Sequence, residues 1–158
     1  MQNALHTLKY RHNMGIGDAL AIQIAGFVRS LHWDVELLVP MPLGKKRLKE
    51  RGYNQVGLVA RPLAYELGLQ YAPQSLSKTK DTRSQVGLNV IQRRENVRNV
   101  YQAEGKMVRR KSILLMDDVA TTGATIQSSV EALLSAGACD VYAFTIARAL
   151  SHHDMTRV

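Results

Sequence analysis

The 158-residue chain has one cysteine, Cys139, and one tryptophan, Trp33. A lone thiol excludes an intramolecular disulfide and any zinc site built on two or more thiolates, and it suits a reducing compartment. Aromatic residues make up 6% of the chain, so no ready stacking platform for unpaired bases stands out. No apolar run reaches the roughly 18 residues of a membrane span, so no membrane insertion is expected. The opening Met1-Gln-Asn-Ala-Leu-His6 lacks the basic-then-apolar pattern of a secretory signal, and a cytoplasmic protein is expected. Acid is also scarce: 13 Asp and Glu stand against 21 Lys and Arg, a formal net charge of +8.

The excess base is clustered. Residues 43–51, 78–98 and 106–111 each carry a local +4. Clustered positive charge implies an anionic partner, either nucleic acid or a small polyphosphate. For 106–111 taken alone, solvated surface is the simpler reading.

Strands and helices alternate. Residues 14–32 predict a helix, with Ile16, Leu20, Ile24, Phe27, Val28 and Leu31 near helical spacing. Residues 36–40 form a short apolar run closed by Pro40, which predicts a buried strand. Pro42, Gly44 and Gly52 predict a loop over 41–52. Residues 53–68 predict a helix that Pro62 should kink or break. Residues 69–76 predict a weak strand, and 97–110 a hairpin or strand pair with Gly105 at the turn. The clearest strands are 112–117 and 140–147. Between them 123–136 predicts a helix with Ile126, Val130, Leu133 and Leu134 inward. Continuous apolar strands alternating with helices predict a single α/β domain over 1–158, a three-layer parallel sheet flanked by helices. Such sheets bind ligands at the carboxyl ends of their strands, so the loops 41–52 and 117–124 should face one crevice.

The segment Ile113-Leu-Leu-Met-Asp-Asp-Val-Ala-Thr-Thr-Gly-Ala-Thr125 is the most specific in the chain. A strand runs through two adjacent acids into a loop of small and hydroxyl residues that opens a helix. Ala120, Gly123 and Ala124 let backbone amides close around an anion, and the helix adds the positive end of its dipole. Thr121, Thr122 and Thr125 add hydroxyl donors. Asp117 and Asp118 would repel that anion, but they suit the vicinal hydroxyls of a ribose or a bridging metal. Together the two features describe a ribose 5-phosphate site. The competing reading makes Asp118 an N-cap and the threonines turn residues.

These residues resemble the phosphoribosyl-pyrophosphate (PRPP) motif of the type I phosphoribosyltransferases. Val39-Pro-Met-Pro-Leu43, Arg51-Gly-Tyr-Asn-Gln55, Thr82, Gln85, Leu88, Arg93, Asn96, Tyr101 and the early Leu8-Lys-Tyr10 narrow the resemblance to the ComF-type branch, over about residues 8–149. The resemblance implies that Lys45, Lys46, Arg47 and Arg51 approach the pyrophosphate. It implies that 77–100 is a flexible lid or hood carrying Gln85, Arg93 and Asn96. It implies Asp117, Asp118 and Arg51 as the catalytic group. Mg²⁺ would arrive with PRPP rather than on ligands supplied by the protein alone. The four-cysteine zinc finger common in this branch has no counterpart here; either the chain lacks it or begins after it.

Three readings stay open. The first is an enzyme of nucleoside metabolism that moves the phosphoribosyl group of PRPP to an unidentified nitrogen acceptor and releases pyrophosphate. The second is a competence accessory that handles single-stranded DNA during uptake, alone or with other competence proteins. The third is a non-catalytic PRPP-binding regulator. A homodimer is compatible with all three. His152 and His153 read as exposed tail residues.

Overall fold

A computed structural model of the chain describes residues 14–79, 100–120 and 122–148. The elements run in the order α1 (Met14–Ser30), β1 (Leu37–Pro40), α2 (Lys45–Arg51), α3 (Gln55–Leu67), β2 (Gln70–Tyr71), β3 (Leu76–Lys78), β4 (Tyr101–Ala103), α4 (Gly105–Val108), β5 (Ser112–Ala120), α5 (Ala124–Ser135) and β6 (Asp140–Arg148). Four strands form a parallel sheet in the order β2-β1-β5-β6, and β3 pairs with β4 in a separate antiparallel ribbon. This is the expected three-layer α/β architecture.

The two-residue period of a strand builds the layers. Leu38, Leu114 and Met116 face α1 and α3, and pack with Ala21, Val28, Val59 and Leu63. Leu37, Val39, Ile113 and Leu115 face the other way, toward Leu133 of α5, Tyr101 of β4 and Val108 of α4. Both faces of the central strands are therefore covered, which is why their sequences read as unbroken apolar runs. Leu114 is fully buried, and its truncation to Ala should cost about 2–5 kcal/mol.

Several elements depart from the sequence reading. Residues 45–51 are a helix rather than part of a loop. Lys-Lys-Arg-Leu-Lys-Glu-Arg are good helix formers, and Gly52, at φ 75°, closes the helix in the left-handed conformation. No residue of α2 is buried, so it lacks the apolar periodicity that would have revealed it. α3 runs through Pro62 without a break. A proline there has no N–H for the Leu58 carbonyl. Gly17 of α1 packs on that same carbonyl, where a Cβ would overlap it. The Arg29 guanidinium further ties α1 to α3 by donating to the Glu66 carbonyl.

Among the described residues Gly105 does not turn the expected hairpin. β4 pairs back to β3, in the register Leu76↔Ala103, and Gly105 opens the short α4 behind a Glu104 cap. The weak strand at 69–76 divides into β2 and β3. β5 extends to Ala120, beyond the expected end at 117, because β6 pairs alongside it as far as Arg148. β6 is an edge strand of the described sheet, with no fully buried residue over 140–147. Its aromatics are half-buried: Tyr142 stacks on Trp33 at 4.9 Å, and Phe144 meets Phe27 at 6.1 Å. Phe27 and Leu134, both expected inward, are 55% and 45% exposed. Each lies one step of about 100° off the buried stripe of its helix, the side chains next to them taking the core.

The strand order places a switch point between β1 and β5. β1 continues through α3 to β2 on one side, and β5 continues through α5 to β6 on the other. The two connections diverge above the carboxyl ends of adjacent strands and leave a crevice there.

Candidate functional site

β5 carries the acid pair to that crevice. Pairing with β6 fixes Asp117 opposite Thr145. Strand alternation sends Asp117 and Asp118 to opposite faces of the sheet. Asp117 is 9% exposed, and its Oδ1 accepts the N–H of Asp118 at 2.8 Å. On the other face, Asp118 Oδ2 accepts from Gln55 Nε2 at 3.2 Å. Asp118 therefore lies within the strand. The N-cap of α5 is Gly123, at φ 77° with no side-chain cap, so the reading of Asp118 as a helix cap does not hold.

The loop after β5 is shaped by its backbone. The left-handed Gly123 turns the chain into α5, and its carbonyl accepts the Gln127 N–H at 2.9 Å. A Cβ at Gly123 meets nothing within 4 Å, so the demand for glycine comes from φ and not from crowding. Thr122 is exposed; Ala120, Ala124 and Thr125 are half-buried at the mouth. Ser129 Oγ donates to the Thr125 carbonyl at 2.9 Å and lies 3.2 Å from Met41 Sδ, which pins the start of α5 to the end of β1. Thr121 lies outside the described residues.

The loop after β1 is shaped by side chains. Asn54 caps α3 through Oδ1 to the Val56 N–H, and its Nδ2 donates to the Met41 carbonyl at 2.9 Å. That clamp brings the far end of the loop back to the strand it left. Arg51 then donates from Nη1 to Gln55 Oε1 at 2.9 Å. The structure thus links Arg51 to Asp118 through Gln55. Lys45, Lys46, Arg47 and Lys49 are exposed on the short α2.

Tyr101 closes the floor beside Asp117. Burial, chiefly, pushes its hydroxyl up to about 12; the Asp117 charge adds to the rise and Arg47 opposes it. Tyr101 stands on the β3–β4 stem, where Thr79 N–H bonds the Val100 carbonyl at 2.8 Å. The lid candidates Gln85, Arg93 and Asn96, with Thr82 and Leu88, lie outside the described residues, as do Leu8, Lys9 and Tyr10.

Gln55 is the residue that sequence reasoning did not assign to the site. It stands inside the quoted Arg51–Gln55 signature, but nothing in its type or spacing pointed at Asp118, which is 63 residues away. Asp117 and Asp118 offer hard oxygen donors of the kind Mg²⁺ takes. Among the described residues no group of three or more His, Cys, Asp or Glu gathers to hold a metal. The donor set fits an ion whose shell is completed by waters and by the phosphates of a substrate. A groove of about 410 Å³ between β4 and α5, lined by Tyr101, Gln102, Ser128 and Glu131, includes neither Asp117 nor Asp118 and none of the α2 cations. No described helix is long and apolar enough to cross a membrane.

Comparison with known proteins fits this geometry. The chain matches no protein-family model. It is 30% identical over 151 residues to the DNA utilization protein YhgH of Salmonella typhimurium (strain LT2), covering 92% of this chain and 66% of that one. It is 32% identical to the competence protein ComFC of Bacillus subtilis (strain 168), covering 94% of this chain and 60% of that one. The chain belongs to the ComF-type, phosphoribosyltransferase-like family. This ComF-type chain spans slightly under two thirds of the length of the curated relatives named here. Its fold is that of the type I phosphoribosyltransferases. Glutamine PRPP amidotransferase from B. subtilis superposes on 83% of the chain with a TM-score of 0.57, at 18% identity and over 26% of its own length.

Proposed function

We propose that this ComF-type chain binds PRPP and transfers its phosphoribosyl group to a nitrogen acceptor, releasing pyrophosphate. One observation carries the reading: a buried strand delivers two adjacent carboxylates to a switch-point crevice, beside a left-handed glycine and a helix N-terminus. Asp117 and Asp118 only accept hydrogen bonds, and the vicinal hydroxyls of a ribose are donors that suit them.

Asp117 and Asp118 accept hydrogen bonds from the ribose hydroxyls and fix the sugar. The backbone of Ala120, Gly123 and Ala124, with Thr121, Thr122 and Thr125, takes the 5-phosphate. Arg51, with Lys45, Lys46 and Arg47, faces the pyrophosphate and stabilises the charge that grows on it as the C1–O bond breaks. The acceptor nitrogen forms the new bond to C1 and gives up a proton to solvent. Gln85, Arg93 and Asn96, in the segment between β3 and β4, serve to exclude water from the ribosyl cation. Asp117 and Asp118 are the residues that would reach a Mg²⁺ arriving with PRPP, and such an ion would add to the neutralisation of the leaving pyrophosphate.

Calorimetric titration with PRPP and Mg²⁺, followed by a pyrophosphate-release screen over bases and amines, tests this. Saturable, Mg²⁺-dependent binding with release for at least one acceptor is the expected result. Absence of binding overturns the reading. Binding without release for any acceptor favours a PRPP-binding regulator.

A second reading has its own support. The relatives are named for DNA utilization and competence, and α2 exposes four cations, Lys45, Lys46, Arg47 and Lys49, against the single acid Glu50. These observations suit an intracellular, cytoplasmic role in DNA uptake with single-stranded DNA or competence proteins as partners. Single-stranded DNA binding that weakens with salt, with a log–log slope of about −0.7 per phosphate contact, supports it. A homodimer is compatible with either reading, and sedimentation measures it.

A further inference from the structure

Gln55 stands between two groups of opposite charge. Its Oε1 accepts from Arg51 at 2.9 Å and its Nε2 donates to Asp118 at 3.2 Å. A guanidinium only donates and a carboxylate only accepts. A side-chain amide carries one acceptor and one donor group at the same end, and Gln55 uses both. Its orientation follows from the partners, because a flipped amide would aim N–H at the cation and carbonyl at the anion. Gln55 is 6% exposed, so an unmet amide there would be costly. It is also the first residue of α3, directly after the Asn54 cap that is tied to the Met41 carbonyl, so its backbone is held in place.

We infer that Gln55 is a positioning residue that keeps Arg51 and Asp118 apart and poised for the two ends of one ligand. The inference rests on the reading of the crevice as a PRPP site. Remove the amide, and the long Arg51 side chain is free to close on Asp118 as a direct forked pair. Each charge then satisfies the other, and neither is offered outward. With the amide in place, Arg51 spends one of its five N–H donors on Gln55 and keeps the rest for phosphate oxygens. The amide also connects the basic loop after β1 to the acid end of β5, so occupation of one end bears on the other.

The full chain, labelled with ¹⁵N, tests the bridge without ligand. The Gln55 side-chain amide signals should move in both R51A and D118N. Signals at free-amide positions, unmoved by either variant, overturn the bridge. The positioning role is read by calorimetry with PRPP and Mg²⁺, with inorganic pyrophosphate and with ribose 5-phosphate. Q55M should weaken PRPP by about tenfold or more while its melting temperature stays near that of the parent. R51A alone should cost about as much, but R51A added to Q55M should cost less than about threefold more, because the two act as one unit. Independent, multiplying losses overturn the inference. Q55E, which turns a carboxylate toward Asp118, should lower the melting temperature, and adding D118N should restore it by exchanging donor and acceptor. Failure of that rescue also counts against the bridge. A parent that binds none of the three ligands overturns the proposed function and the positioning role with it. A parent that binds while the losses multiply overturns the positioning role alone.

Discussion

The two loops above the sheet, after β1 and after β5, meet at one crevice and are built in opposite ways. The first is long, basic and exposed, and side chains hold it: Asn54 clamps to Met41, and Arg51 bridges through Gln55 to Asp118. The second is short and uncharged between Asp118 and α5, and backbone geometry sets its turn at Gly123. In the proposed site they take the two anionic ends of one molecule. Fixed backbone dipoles suit a phosphate that must sit in one place. Flexible cations suit a pyrophosphate that must depart. The exposed lysines of the first loop should therefore tolerate single substitutions that the acids and glycine of the second region do not.

The largest effect should come from D117N combined with D118N. PRPP affinity should fall by about 100-fold or more, while the melting temperature stays equal or rises slightly, as it does where a site holds unfavourable charge. Unchanged affinity in calorimetry would remove the acids from the site and break the comparison. A collapsed melting curve would return them to a structural role.

G123V comes next. The site has open space for a Cβ, so the cost is the left-handed backbone, about 1–2 kcal/mol. At roughly 2–4 °C per kcal/mol for a chain of this size, thermal melting should resolve it. PRPP affinity should fall with it, since the amides that follow are re-aimed. A stable variant that keeps full affinity would show that the backbone of the second loop is not what binds.

A smaller effect is expected from K45A, K46A and K49A together. PRPP affinity should drop only severalfold, because exposed cations are screened. If single-stranded DNA lies on α2, the salt slope should shrink by about 2, at roughly 0.7 per lost contact. A loss of PRPP affinity as deep as that of the acid variants would mean that both loops are rigid parts of one site.

The smallest effect belongs to the amino-terminal ends of β1 and β5. Lys111 and Glu36 form an exposed pair at 2.6 Å, and the Lys111 hydrogen bond, then the Ser112 N–H, hold the Glu36 carboxyl below its ordinary range. A carboxylate with a lowered folded value stabilises the fold above its unfolded value, and the gain disappears as pH falls through the folded one. E36Q should thus lower the melting temperature slightly at neutral pH, not at all in strong acid, and leave PRPP affinity alone. Changed PRPP affinity would mean that the end opposite the crevice takes part in binding.

The sequence alone determined the sheet, the acid pair and the glycine turn. Unbroken apolar runs report a strand covered on both faces, as at 37–40 and 112–116, and a local pattern suffices wherever the chemistry is local. It did not show α2, because a helix that buries nothing carries no apolar period. It read Phe27 and Leu134 as core, because composition does not say where a stripe ends. Only the tertiary structure decided that β1 and β5 are neighbours with diverging connections, and that Gln55 reaches Asp118 across 63 positions of sequence. Those contacts depend on strand order and on the docking angle of α3, which are properties of packing between distant segments and leave no periodic mark on either one.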